Sequence, residues 1–210
     1  MMQLFGYDTI NTLKVLMLLM ETDAEFEFVP INIRAGEQHK REFLDINPAG
    51  KVPVLRDGSQ HQTESNAILM SLAHKMNWGL PEDPKEYGCM ISWLFYQAST
   101  QGPHFGQIEY WNKLAKQPNT RALTHLRTIA NRTIQHLDDQ LKGRQFICGK
   151  NYSIADISLF PWLHIHDHLG LTIKGVNNLE LWLERIGRRP ASMKALAFLG
   201  SNSMFDKKIE

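Results

Sequence analysis

Cysteine is scarce in this 210-residue chain, which carries only Cys89 and Cys148. Two cysteines so far apart cannot frame a secreted disulfide scaffold. With no Cys-x-x-Cys, a protein dithiol of the glutaredoxin kind is disfavoured, and both cysteines read as small buried residues. Charge of one sign is also lacking. The 23 Lys and Arg are balanced by 22 Asp and Glu, so there is no electrostatic case for nucleic acid or an anionic membrane. Long apolar runs are missing, because Lys14 and Glu21 bracket Val15–Met20, far short of a bilayer span. Nor does the chain start with a basic segment, an apolar run and a small-residue cleavage site. A cytoplasmic globular protein is expected, with enough apolar content for one large or two small cores.

The apolar pattern changes character part-way along. Gln3–Tyr7 reads as a buried strand, and Asp8-Thr9-Ile10-Asn11-Thr12 is rich in helix-capping residues. Leu13–Met20 reads as a buried helix, and Glu27–Ile33 as a strand with Pro30 near an edge. A helix joining two strands favours a parallel, right-handed crossover. Arg41–Ile46 is a short helix stopped by Asn47-Pro48-Ala49-Gly50. Next come a strand at Val52–Leu55, a turn at Asp57-Gly58, a second short strand and a helix opening at Glu64-Ser65. Pro53 belongs at an edge, a strand start or a bend. A cis Val52-Pro53 bond is an open possibility, with trans the commoner state of such bonds.

The order βαβ-αββα makes residues 1–77 a small α/β layer, and 78–84 reads as a linker broken by Gly79, Pro81 and Pro84. Residues 85–210 read as all-α: a helix at Lys85–Tyr96 that Gly102-Pro103 bends or ends, a long one at Thr120–Leu141, and one at Ile154–Leu163. The last opens on Ser153-Ile-Ala-Asp156, a variant capping box that accounts for Asp156 as a structural residue. Leu179–Gly187 and Ala191–Phe198 complete the helical half. His164, His166 and His168 alternate, a spacing that does not bring three ligands to one helix face, so no metal site is expected. Trp93, Tyr96, Phe105, Tyr110 and Trp111 are either core or the lining of an apolar pocket.

Three motifs, in order and at consistent spacing, carry a resemblance: Asn47-Pro-Ala-Gly-Lys-Val-Pro-Val, Thr63-Glu64-Ser65-Asn-Ala-Ile and Tyr152-Ser-Ile-Ala-Asp156. With them the chain resembles the cytosolic glutathione transferase superfamily over nearly its whole length. Thr9-x-Asn11-x-x-Lys14, Gly36-Glu-Gln38 and Gly102-Pro-His-Phe-Gly-Gln107 look most like the bacterial Nu class, some members of which reduce disulfides with glutathione. The resemblance implies a thioredoxin-like first domain that holds glutathione and a helical second domain that shapes the pocket for a small electrophile or disulfide. It implies that Val52 precedes a cis proline and pairs through its backbone with the cysteinyl part of glutathione. Glu64 and Ser65 would grip the γ-glutamyl end, Gln38 and Lys51 the glycyl end, and Arg132 would face the same ligand. It further implies a homodimer, and either conjugation or thiol-disulfide and peroxide reduction. A binding or regulatory protein of the same fold without catalysis is the alternative.

Such chemistry needs a thiolate, because the neutral thiol is the poorer nucleophile. A donor aimed at sulfur, where a helix begins, lowers the thiol pKa by favouring its charged form. Tyr7, Thr9 and Asn11 are the candidates after the first strand. Thr9 and Asn11 are favoured, since they fall in the strand-to-helix turn and match the Nu-like pattern, while the Tyr7 ring is expected to face the core. Capping of the first helix is the other role open to Thr9 and Asn11.

Overall fold

The computed structural model describes residues 1–202 and forms two compact units: Met1–Trp78 together with the segment from Arg189 onward, and Gly79–Arg188. Residues 203–210 of the expected helical domain lie outside the described residues.

The first unit is built on a four-stranded sheet in the order β2-β1-β3-β4, with β1 at Met2–Gly6, β2 at Phe26–Pro30, β3 at Val54–Asp57 and β4 at Gln60–Gln62. β1 and β2 are parallel, joined by α1 (Ile10–Glu21), while β1, β3 and β4 run antiparallel to one another in turn. The crossover read from the sequence is therefore present, and Pro30 ends the edge strand, where its missing N–H costs no ladder bond. Phe5 and Val54, paired across the central strands, cluster with Phe43 of α2 (Arg41–Leu44) on one face. Their neighbours Leu4 and Leu55 point the opposite way, as the pleat demands. α1 is buried from Thr12 through Leu19 and packs on α3 (Ser65–Met76).

Two local readings shift. The third strand begins at Val54 rather than Val52, because Val52-Pro53 is cis and the chain turns there before entering the ladder. The last helix, α9 (Pro190–Asn202), expected within residues 85–210, packs on α1 in the first unit. Its Phe198 ring meets Phe26 and Phe28 of β2, and Ala191, Ala195 and Leu199 are buried. Arg189 donates two hydrogen bonds to the Glu21 carboxylate, at 2.6 and 2.8 Å. Short apolar residues on one face and a forked ion pair at its start are enough to dock the helix.

The second unit is helical: α4 (Pro84–Tyr96), α5 (Gly102–Glu109), α6 (Thr120–Leu141), α7 (Ile154–His164) and α8 (Asn177–Gly187). Gly102-Pro103 neither ends the helix nor simply bends it. A π-helical turn at Gln97–Gln101 absorbs the proline, with the Gly102 N–H donating to the Gln97 carbonyl five residues back. A Cβ at Gly102 would lie 2.9 Å from the Gln97 amide nitrogen and 3.1 Å from that carbonyl oxygen, so the turn needs glycine. A second π-turn, Tyr110–Leu114, follows α5. α7 opens with the expected capping box, Ser153 with Asp156, and is buried from Ile154 through Leu163. Among the described residues no helix is long and apolar enough to cross a membrane.

Candidate active site

A cleft of about 120 Å³ opens in the first unit, lined by Asn11, Asn47, Lys51, Val52, Pro53, Glu64 and Ser65. Three stretches far apart in sequence meet there. The first turn of α1 supplies Asn11 and the loop before β3 supplies residues 47–53. The start of α3 supplies Glu64 and Ser65.

The loop is held by Asn47, which is buried. Its side-chain nitrogen donates to the Lys51 carbonyl at 2.7 Å and its oxygen accepts from the Ala49 N–H at 3.1 Å. Sequence reading took Asn47-Pro48 only as a helix stop. An Asn-Pro-x-Gly string is also the mark of a side-chain-to-backbone turn, and that is the role seen. Gly50 has φ +60°, and a Cβ there would come within 3.2 Å of the Gln38 carbonyl and of the His39 ring. Glycine is what lets the two loops approach.

Glu64 occupies a backbone conformation that L residues rarely take, φ 63° and ψ 113°, directly before α3. It makes no side-chain capping bond there. Its carboxylate is thus left in the cleft beside the N–H groups that open α3, which have no intrahelical acceptor. Acceptor and donors sit side by side, the pairing that an amino-acid end group with its ammonium and carboxylate would fill.

Beneath the cleft the Lys14 side chain is 1 % exposed and donates to the Ser65 hydroxyl at 3.3 Å, and Ser65 in turn donates to the Asn11 side-chain oxygen at 3.4 Å. Burial pushes the Lys14 ammonium down to about 7, against the opposing pull of the Glu64 carboxylate. A lysine at that position in a buried helix is a polar interruption in Leu13–Leu19, a visible signal to which sequence reading attached no role.

Residues 1–74 match the family model for the glutathione S-transferase N-terminal domain, and 90–190 that for its C-terminal domain. The disulfide-bond oxidoreductase YfcG of Escherichia coli K12 is 30 % identical over 203 residues, 93 % of this chain and 94 % of that protein. The chain belongs to the glutathione transferase superfamily. Glutathione S-transferase 2 of Schizosaccharomyces pombe is 36 % identical over 159 residues, covering 72 % of this chain and 69 % of its own. Among solved structures, a Pseudomonas putida glutathione transferase with one glutathione disulfide bound per subunit superposes with a TM-score of 0.85. It is 30 % identical and covers 93 % of this chain and 90 % of its own. The thioredoxin-like sheet followed by helices is the architecture of this superfamily.

Of the residues that sequence reading singled out, Asn11, Lys51, Val52, Glu64 and Ser65 come together in the cleft. Thr9 is not among its lining residues. Its hydroxyl accepts from the Thr12 N–H at 3.2 Å and shares a hydrogen bond with the Thr12 hydroxyl at 2.9 Å, so it caps α1. Tyr7 lies just past β1 and is 7 % exposed, as expected of a ring facing the core. Gln38 sits in the loop that contacts Gly50, half-buried, with its side-chain oxygen enclosed and without a partner among the described residues. Arg132 is exposed on α6 of the second unit.

The cysteines part company. Cys148 is buried, and that burial together with the neighbouring Cys89 thiol pushes its own thiol far up, which keeps it protonated. Cys89, expected to be buried, is half-buried, its sulfur within 3.9 Å of the Ile147 carbonyl and 3.8 Å of the Gln140 amide nitrogen. No group of three or more His, Cys, Asp or Glu that could hold a metal occurs among the described residues.

Proposed function

We propose that the cleft binds glutathione and that the enzyme uses the bound thiolate as a nucleophile, principally toward disulfides. One observation carries the reading. An amide donor at the start of α1, the cis Val52-Pro53 turn and the Glu64-Ser65 opening of α3 converge on one cleft. Glu64 accepts from the γ-glutamyl ammonium, the free N–H groups of α3 donate to its carboxylate, and the Val52 backbone meets the cysteinyl part. Asn11 then lies where the sulfur falls, with Thr9 supporting it as the helix cap. Lys51 and Gln38 serve the glycyl end; the exposed Lys51 ammonium neutralises its carboxylate. Arg132 keeps its place in this reading as a ligand-facing residue of the second unit.

The chemistry balances without a protein thiol. Bound glutathione loses its proton to solvent, and the thiolate attacks one sulfur of the disulfide. The S–S bond breaks and the departing thiolate takes up a proton. A second glutathione attacks the mixed disulfide, releasing the remaining substrate thiol and glutathione disulfide. The naming of YfcG as a disulfide-bond oxidoreductase and the glutathione disulfide held by the P. putida enzyme support this direction. Conjugation of an electrophile would use the same thiolate, and the S. pombe relative's name supports it. A non-catalytic binder is told apart by affinity without turnover.

Glu64→Gln keeps the shape of the side chain and removes its charge. It should weaken glutathione binding roughly ten- to a hundred-fold, the equivalent of about 1.5–3 kcal/mol for a charged hydrogen bond. Calorimetric titration of a variant that still melts like the parent decides the point, and unchanged affinity rules the grip out. The assembly proposed is a homodimer, after the superfamily's habit. Light scattering at micromolar concentration should give twice the mass of one 24.2 kDa chain, and a fully active monomer would refute it.

A further inference from the structure

We propose that Lys14 is a positioning residue that acts through Ser65 to hold the Asn11 amide with its nitrogen, not its oxygen, toward the bound thiol. The inference rests on the glutathione reading above and adds a residue outside the cleft lining.

Hydrogen-bond direction supplies the argument. An ammonium has donors and no acceptor, so in the Lys14–Ser65 contact the hydroxyl oxygen must accept. A serine hydroxyl has one hydrogen. With its oxygen turned to Lys14, that hydrogen goes to the Asn11 side-chain oxygen. The two prongs of a primary amide point apart, so fixing the oxygen inward at Ser65 turns the NH₂ away from it, into the cleft that Asn11 lines. Without Lys14 the Ser65 oxygen is open to accept from the Asn11 nitrogen instead. The amide can then turn over and present its carbonyl oxygen to the sulfur, where a lone pair facing a thiolate repels it.

The same count refines the γ-glutamyl grip. Because the Ser65 hydrogen is committed to Asn11, the ligand carboxylate falls to the N–H groups opening α3 rather than to the Ser65 hydroxyl. Lys14 also contributes charge. Its ammonium is weakened by burial, and a thiolate arriving above it favours the protonated form. The charged side chains lining the cleft itself are Glu64 and Lys51, and neither contacts Asn11 in the way Ser65 does. The cost of keeping a lysine wholly buried is explained if it orients the group that meets the reacting atom.

The test is the ultraviolet absorbance of the bound glutathione thiolate against pH, in the full-length protein, for Asn11→Ala, Lys14→Met, Ser65→Ala and the double variant Lys14→Met with Ser65→Ala. Lys14→Met should move the thiol titration upward by about one pH unit, leaving roughly tenfold less thiolate at neutral pH. The glutathione dissociation constant should change less than the rate. If the relay runs through Ser65, the double variant is displaced no further than the more affected single one. Ser65→Ala breaks the chain without touching the buried cation and must also move upward, which keeps the test decisive should Lys14→Met not fold. An unmoved titration in folded Lys14→Met or in Ser65→Ala, with Asn11→Ala displaced, overturns the relay and leaves the glutathione reading intact. Fully additive displacements also overturn it. A parent that binds no glutathione removes both.

Discussion

Asp156→Ala is expected to lose about 3–4 kcal/mol of stability, a large share of what a domain of this size possesses. The Asp156 side chain is fully buried and accepts four hydrogen bonds: from the Ile147 N–H at 2.9 Å, the Trp182 indole N–H at 2.8 Å, the Ser153 N–H at 3.0 Å and the Ser153 hydroxyl at 3.1 Å. It thus ties the loop before α7, the start of α7 and the middle of α8 to one carboxylate. Burial pushes its carboxyl up, while the four donors favour the charged form. Removing the side chain strands two backbone N–H groups and an indole N–H away from water, each at a cost of about 1–3 kcal/mol before relaxation. Asp156→Asn should fall between. Its oxygen can still accept from Ile147 and Trp182, but its NH₂ would face the Ser153 N–H, donor against donor. Urea unfolding followed by circular dichroism measures the series. A loss below about 1 kcal/mol for Asp156→Ala would show that the network relaxes without its centre.

The opposite sign is expected at Lys14. In the ligand-free protein, Lys14→Met should raise stability by about 1–4 kcal/mol at neutral pH, because an apolar chain of similar length needs no charge taken out of water. The pH dependence gives the prediction its own signature. The Lys14 pKa falls from an ordinary 10.5 to about 7 on folding. Between those values the unfolded chain binds the proton and the folded chain does not, so the stability of the parent rises with pH across that window. Below about pH 7 both states are protonated and the burial penalty is present in full. The advantage of Lys14→Met should therefore be greatest at and below neutrality and shrink toward alkaline pH. Paired urea titrations of parent and variant from about pH 6 to about pH 9 check it. A constant gap would mean that Lys14 keeps its charge throughout. A variant that gains stability while its glutathione thiol titrates higher would show the lysine retained for activity at the expense of the fold.

Much of this was legible in the chain itself. Alternation and helical period located β1, α1, α6 and α7, because each buries one well-marked face, and Ser153 with Asp156 announced its own cap. Glu64-Ser65 and Asn11 could be picked out since their residue types match the chemistry of helix openings. Other features were hidden for physical reasons. The isomer of Val52-Pro53 is set by tertiary surroundings that no local string contains, and with it went the start of β3. The docking of α9 on α1 depends on a contact between residues 21 and 189, which no periodicity reveals. Thr9 resembled a thiol donor because the hydroxyl that caps a helix and the hydroxyl that meets a ligand are the same group, and only the Thr12 contacts distinguish them. Lys14 was visible as a charge in an apolar helix, yet its meaning depended on Ser65, 51 residues away.

The π-turns on either side of α5 bear on how this chain can change in length. A turn closed by a bond to the fifth residue back holds one residue more than an α-helical turn, so each is in effect a single-residue insertion accommodated within a helix. Deleting one residue among 97–101 would let regular α-helix run on and would turn everything after it by about 100°. Phe105 and Ile108, both wholly enclosed in the second unit, would swing out of the core, and the hydrogen bond from the buried Gln101 amide to the Leu159 carbonyl would be lost. The exposed Asp57-Gly58 turn between β3 and β4 has no such consequence, since an added residue there only lengthens a hairpin loop. Divergence by insertion and deletion in this lineage is thus steered toward the hairpin and away from a helix whose surface sequence gives no sign of the restriction.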